Sequence, residues 1–92
     1  MPNPGDLDLA RAVVDGDAAA FDELYERYLP PVLAFARRRR ADERAARSLA
    51  ATVLETVLEH LHGYSGRTPL AAWVLAVARL VARRAEAASA AA

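Results

Sequence analysis

Apolar residues recur at helical spacing along nearly the whole chain. In the last third, Leu70, Trp73, Val74, Val77, Leu80 and Val81 stand at offsets 0, 3, 4, 7, 10 and 11, which is one face of an α-helix. Thr68 is the expected N-cap of this helix, and Pro69 suits the first helical position, where its missing N–H has no intrahelical partner to lose. The spacing predicts a helix over residues 69–87. Before it, residues 63–68 read as a glycine-containing loop. Leu49, Val53, Leu54, Val57, Leu58 and Leu61 form the apolar face of another helix, which Asp42 begins. Further upstream, Phe21, Leu24, Tyr25, Tyr28, Val32 and Phe35 keep helical spacing through Pro30-Pro31. They predict a helix from Asp17 to about Arg39, kinked at the prolines, with two separate helices as the alternative. A short helix over residues 7–15, capped by Asp6 and ended by Gly16, comes first. No segment alternates with a period of two, so the class is all-α: a small four-helix bundle. Residues 1–5 are expected to be disordered, residues 6–87 to form one domain, and residues 88–92 to fray.

Composition narrows the function classes. Ninety-two residues allow a single domain with a modest core, and alanine, the best helix former, supplies much of the 54% apolar content. With no cysteine, the chain has neither a disulfide framework nor a thiolate metal site. The opening residues, Met-Pro-Asn-Pro-Gly-Asp, lack the basic-then-apolar order of a signal peptide. The longest apolar run falls well short of the ~20 residues that span a bilayer, so a soluble, cytoplasmic protein without a membrane partner is expected. The cations balance the acids at twelve each. Asp6, Asp8, Asp15, Asp17, Asp22, Glu23 and Glu26 nevertheless make the first quarter acidic, and Arg27, Arg37 to Arg40, Arg44 and Arg47 make the middle basic. Four consecutive arginines point around the whole helix cylinder, so the 37–40 run reads as a solvated helix end or as a contact for DNA phosphate or an acidic partner. His60 and His62 face apart and make a poor metal pair, and no serine or threonine sits in a nucleophile motif. Neither enzyme activity nor a cofactor is expected.

Several short elements share one order. Gly16-Asp17, Ala20-Phe21, Leu24-Tyr25-x-x-Tyr28, the aromatic loop residue Tyr64, Trp73 and Ala78-Arg79 together resemble region 2 of a bacterial extracytoplasmic-function sigma factor, over residues 7 to about 84. The resemblance implies an all-α domain of transcription initiation that binds core RNA polymerase and recognises the −10 promoter element. Phe21, Tyr25, Tyr28 and Trp73 then read as core residues. In the family, the loop before the last helix captures a flipped base and the last helix lies along the DNA. Carried over by position, His62, Tyr64, Ser65 and Arg67 of the loop, with Arg79, Arg83 and Arg84 of the helix, are the implied DNA-binding residues. Tyr64 has two readings, stacking on a base or packing beneath the loop. Arg67 could hold a phosphate, and Gly63 and Gly66 allow close backbone approach. Arg83 and Arg84 also suit the end of any helix, where cations complement the dipole.

The third helix departs from the family pattern. Typical members carry Asp-Leu-Val-Gln-Glu-Val-Phe where this chain has Ser48-Leu49-Ala50-Ala51-Thr52-Val53-Leu54. The resemblance assigns this stretch to the grip on the β′ clamp of the polymerase. The implied partner-binding residues are therefore Ser48, Ala51 and Thr52, with Glu55 and Glu59 further along. Loss of charge-assisted hydrogen bonds there predicts a weaker grip. The alternative is a sigma-like module that has lost polymerase binding and pairs with an anti-sigma factor, a regulator or a second copy of itself. Small residues at Ala45, Ala46, Ala50 and Ala51, read as solvent-facing, favour such helix packing. Membrane-surface binding by the last helix is disfavoured, because its polar side is mostly alanine rather than basic. Family members usually carry a second helical domain that reads the −35 element, and the alanine-rich residues 88–92 read either as the start of a linker to one or as a terminus.

Overall fold

A computed structural model describes residues 5–91. Four α-helices follow one another: α1 (Asp6–Val14), α2 (Ala18–Arg39), α3 (Glu43–His60) and α4 (Leu70–Ala91), with a 3₁₀ turn at Leu61–Gly63. The expectation of a disordered N-terminus falls, for residues 1–4, outside the described residues, and Gly5 is a turn residue that leads into α1. α3 packs against both α2 and α4, while α1 packs on α2 and on the 3₁₀ turn. The all-α bundle is as the apolar periodicity requires.

α2 is a single helix, so the two-helix alternative does not hold. Pro30 and Pro31 lie on its exposed side. The carbonyls of Glu26 and Arg27, which those prolines cannot serve, belong to exposed residues as well, so water can take the place of the missing donors. Asp17 caps the helix by accepting from the Ala20 N–H at 3.1 Å, and Gly16 breaks the chain before it with φ +91°. The buried residues of α2 are Ala20, Leu24, Tyr28, Val32 and Ala36, each four places on from the last. That narrow stripe leaves out Phe21, which is 38% exposed and sets its ring against that of Tyr25, 5.6 Å away and tilted by 30°. Phe21 is therefore not the core residue expected. Tyr28 is, and its burial pushes its hydroxyl pKa up.

α3 begins at the Asp42 cap, whose carboxylate accepts from the Arg44 and Ala45 N–H groups at 3.3 Å. Its buried side includes Ala46 and Ala50, at 0% and 1% exposure. The solvent-facing position expected for these two does not hold. A central helix with neighbours on two sides must bury more of its circumference than one apolar stripe supplies, and alanine lets those neighbours come close.

The start of α4 departs from the expected cap. Leu70 is the first helical residue, and its N–H donates to the Asp6 carboxylate at 2.9 Å. Asp6 serves a helix 64 residues further along the chain, while α1 has no side-chain cap of its own. Thr68 contributes its carbonyl, which accepts from the Tyr64 hydroxyl. α4 also runs past residue 87 to Ala91, so residues 88–91 are helical where fraying was expected, and Ala92 lies outside the described residues. Glu86 ties this last stretch to the end of α2, with its carboxylate 3.2 Å from Arg39 and 3.1 Å from Arg40.

Most of the 37–40 arginine run is thus spoken for within the chain. Arg37 donates twice to Glu43, at 2.9 and 2.7 Å, and Arg47 donates to the same carboxylate at 2.9 Å. The hydrogen bonds from Arg37 and then Arg47 hold the Glu43 carboxyl down to about 2, against an ordinary 4.5. A carboxylate with a depressed folded-state pKa adds stability above its unfolded value and loses it as pH falls through the folded one. Thermal melts across that acid range should therefore show a smaller loss of stability for Glu43→Gln than for the wild type. The difference will be modest, because the pair is exposed and screened. Parallel acid profiles would mean that the two arginines do not hold this carboxylate in solution.

Candidate nucleic-acid and polymerase interface

The loop between α3 and α4 is built from the inside outward. Leu61, 2% exposed, anchors the 3₁₀ turn in the core. Tyr64 follows at 6% exposure, its ring meeting the edge of Trp73 at 5.7 Å and 62° while its hydroxyl closes the loop on Thr68. Of the two readings of Tyr64, packing beneath the loop is the one the structure takes. Too little of the ring is exposed for a base to stack on it, and burial raises its hydroxyl pKa. Gly66 has φ +79°, a left-handed conformation that glycine adopts without strain, and it lies against Leu7 of α1.

The other loop residues implied in DNA binding face outward. His62, Ser65 and Arg67 are exposed, as are Arg79, Arg83 and Arg84 on α4. Arg79 and Arg83 are one helical turn apart on the same face, and Arg84 lies about 100° further round. Among the described residues the ion pairs use Arg27, Arg37, Arg39, Arg40 and Arg47. None of those pairs takes Arg67, Arg79, Arg83 or Arg84. Beside the loop, a groove of about 360 Å³ runs to the end of α1, lined by Arg11, Asp15, His62 and Tyr64 among others.

The second surface is the outer face of α3. Ser48, Ala51, Thr52, Glu55 and Glu59 are all exposed, and their offsets of 0, 3, 4, 7 and 11 set them along one stripe. Arg44, four places before Ser48 and also exposed, extends the stripe. The spacing that grouped the other five could have found it. The Thr52 hydroxyl donates to the Ser48 carbonyl at 3.1 Å and Thr56 to the Thr52 carbonyl at 2.8 Å, so these hydroxyls turn back on their own helix. The stripe borders a groove of about 270 Å³ between α3 and α4, lined by Ser48, Leu49, Thr52, Val81 and Ala85, with Arg40 beside them.

Two residues that shape the site, Asp6 and Leu7, carried no local signal of it. They stand on α1, and only the tertiary packing brings them to the loop.

No helix among the described residues is long and apolar enough to cross a membrane. Neither the curated proteins nor the solved structures contain a match to the chain. Residues 24–88, which begin within α2 and run through the loop into α4, match the family model described as Sigma-70 region 2. A helical bundle whose α3 face, connecting loop and α4 arginines all fall inside that matched span belongs to the Sigma-70 region 2 family, the sigma-factor class of transcription proteins.

Proposed function

We propose that the chain acts in transcription initiation as a module of the extracytoplasmic-function type. The loop at residues 62–67 and the Arg79–Arg83 face of α4 contact a −10 promoter strand, and the outer face of α3 contacts bacterial core RNA polymerase. The role is one of binding rather than catalysis. The observation that carries this reading is the division of the arginines. Those of the 37–40 run are largely committed to Glu43 and Glu86, whereas the four on the loop and α4 are exposed and outside the ion pairs. Exposed guanidiniums along one helix and its leading loop suit a phosphate backbone.

On α3, the hydroxyls of Thr52 and Thr56 are engaged with their own helix, so the charge this face offers a partner comes from Glu55 and Glu59, with Arg44 at its start. Self-association, or an anti-sigma factor or regulator in place of polymerase, rests on the changed residues Ser48, Ala51 and Thr52 and on four alanines expected to face solvent. Burial of Ala46 and Ala50 takes two of those four alanines out of reach of a partner.

The test is retention on immobilised core polymerase at low and moderate salt, alongside binding of a labelled −10 single strand. The wild-type chain is expected to be retained, and the Glu55→Ala/Glu59→Ala variant to be retained about tenfold less well. A folded wild-type chain that passes through unretained would sink the polymerase half of the proposal. Absence of salt-sensitive strand binding would sink the other half.

A further inference from the structure

The loop that faces the strand is not held in place by the helices on either side of it alone. Asp6 is only 4% exposed, and its Oδ2 accepts the Leu70 N–H across a sequence separation of 64. Leu70 is fully buried and opens α4, where the first N–H groups have no intrahelical acceptor. The carboxylate therefore fastens the point at which the loop ends and the arginine-bearing helix starts, and its charge suits the positive end of that helix. One residue on, Leu7 presses on the loop itself. A Cβ placed on Gly66 would sit 3.3 Å from both Cβ and Cδ2 of Leu7. Between these two points the Tyr64 hydroxyl closes the loop on Thr68. The loop is thus gripped by α1 at one site in its middle and another at its end, which turns Ser65 and Arg67 outward. α1 lies wholly before the matched span of residues 24–88.

We infer that α1 positions the strand-facing loop, with Asp6 as a positioning residue for nucleic-acid binding although it contacts no nucleic acid. The inference rests on the functional reading above. It means that Asp6, a carboxylate, sets the affinity for the strand without contributing a phosphate contact of its own.

The experiment combines amide hydrogen exchange, strand binding and polymerase retention on the full chain and its Asp6→Ala and Asp6→Asn variants. A labelled −10 single strand is the nucleic-acid probe. Asp6→Ala removes a buried charge-assisted acceptor and should speed exchange at the Leu70 amide on the order of tenfold to a hundredfold, with the Val53 and Val57 amides of α3 unchanged. Strand affinity should fall by about tenfold while polymerase retention stays as in the wild type, and Asp6→Asn, which keeps an oxygen acceptor, should recover most of both losses.

If Asp6→Ala does not fold, exchange in the wild type decides. A Leu70 amide that opens together with Leu9 and Ala10 of α1 supports the inference, and one that opens while α1 stays protected overturns it. Equal strand affinity in the wild type and Asp6→Ala overturns the positioning role alone. A wild-type chain that binds no strand overturns the functional reading itself and takes the positioning role with it.

Discussion

Leu24→Ala is expected to lower the unfolding free energy by about 2–5 kcal/mol, the range for emptying a well-packed leucine site. Leu24 is 2% exposed and sits mid-stripe on α2 between Ala20 and Tyr28. The Ala20 methyl has no rotamer with which to reach the vacated space, and Tyr28 is held at 5% exposure, so much of the cavity will persist. Domains of this size have roughly 5–15 kcal/mol in total, so the loss is a large share of it. It corresponds to a drop in Tm of roughly 10–30 °C, read by thermal circular dichroism. Phe21→Ala, three residues earlier, is the control. Phe21 is the larger side chain but is 38% exposed, and its removal should cost under about 1 kcal/mol. Equal losses for the two variants would mean that the buried stripe of α2 has been assigned to the wrong face.

The second large effect concerns strand binding. If Arg67, Arg79, Arg83 and Arg84 each neutralise one phosphate of a single strand, log affinity should fall with log salt at a slope of about −2.8. Affinity would then drop by about fiftyfold between about 50 and 200 mM salt. Arg79→Ala/Arg83→Ala should halve that slope to about −1.4 and weaken binding by about tenfold or more at the lower salt. Arg39→Ala is the contrasting variant, since its guanidinium is held by Glu86 and lies over the Phe35 ring, 4.9 Å from its centroid. It should leave the slope as it is. A double variant with the wild-type slope would remove the α4 face from the interface, and a slope lowered by Arg39→Ala would bring the end of α2 into it. Fluorescence anisotropy across a salt series reads both outcomes.

How far the molecule was legible in its sequence differs from residue to residue, for definable reasons. Helical spacing located each helix within a few residues, and it put Leu24, Tyr28, Val53, Val57 and Val74 inside, because an apolar stripe and a buried face coincide there. It failed where size misleads. Phe21 outranks Ala20 on hydrophobicity, yet the closer approach between α2 and its neighbours selects Ala20 for burial at 9% exposure. The same holds for Ala46 and Ala50 on α3, whose two-sided packing could not be known before its neighbours were placed. Capping rules also underdetermine their target. Asp6 and Thr68 each satisfied a local rule for the helix that follows it, and the structure assigns Asp6 to a helix 64 residues away. The arginine run looked free because its partners, Glu43 and Glu86, lie across a turn and across the bundle. For the site, exposure of Arg67, Arg79 and Arg83 followed from helix and loop positions, whereas the fate of Tyr64 hung on a tertiary contact with Trp73.

The alanines of the interior carry an evolutionary consequence. Ala36, Ala46, Ala78 and Ala82 are at zero exposure, on three different helices. Each added methylene at such a position has to force its packed neighbours aside, which costs about 1–3 kcal/mol. Tolerance to change in this chain is therefore inverted with respect to chemical character. The bulky aromatic at position 21 can drift, while the plainest residues in the sequence are the ones with the least freedom to vary.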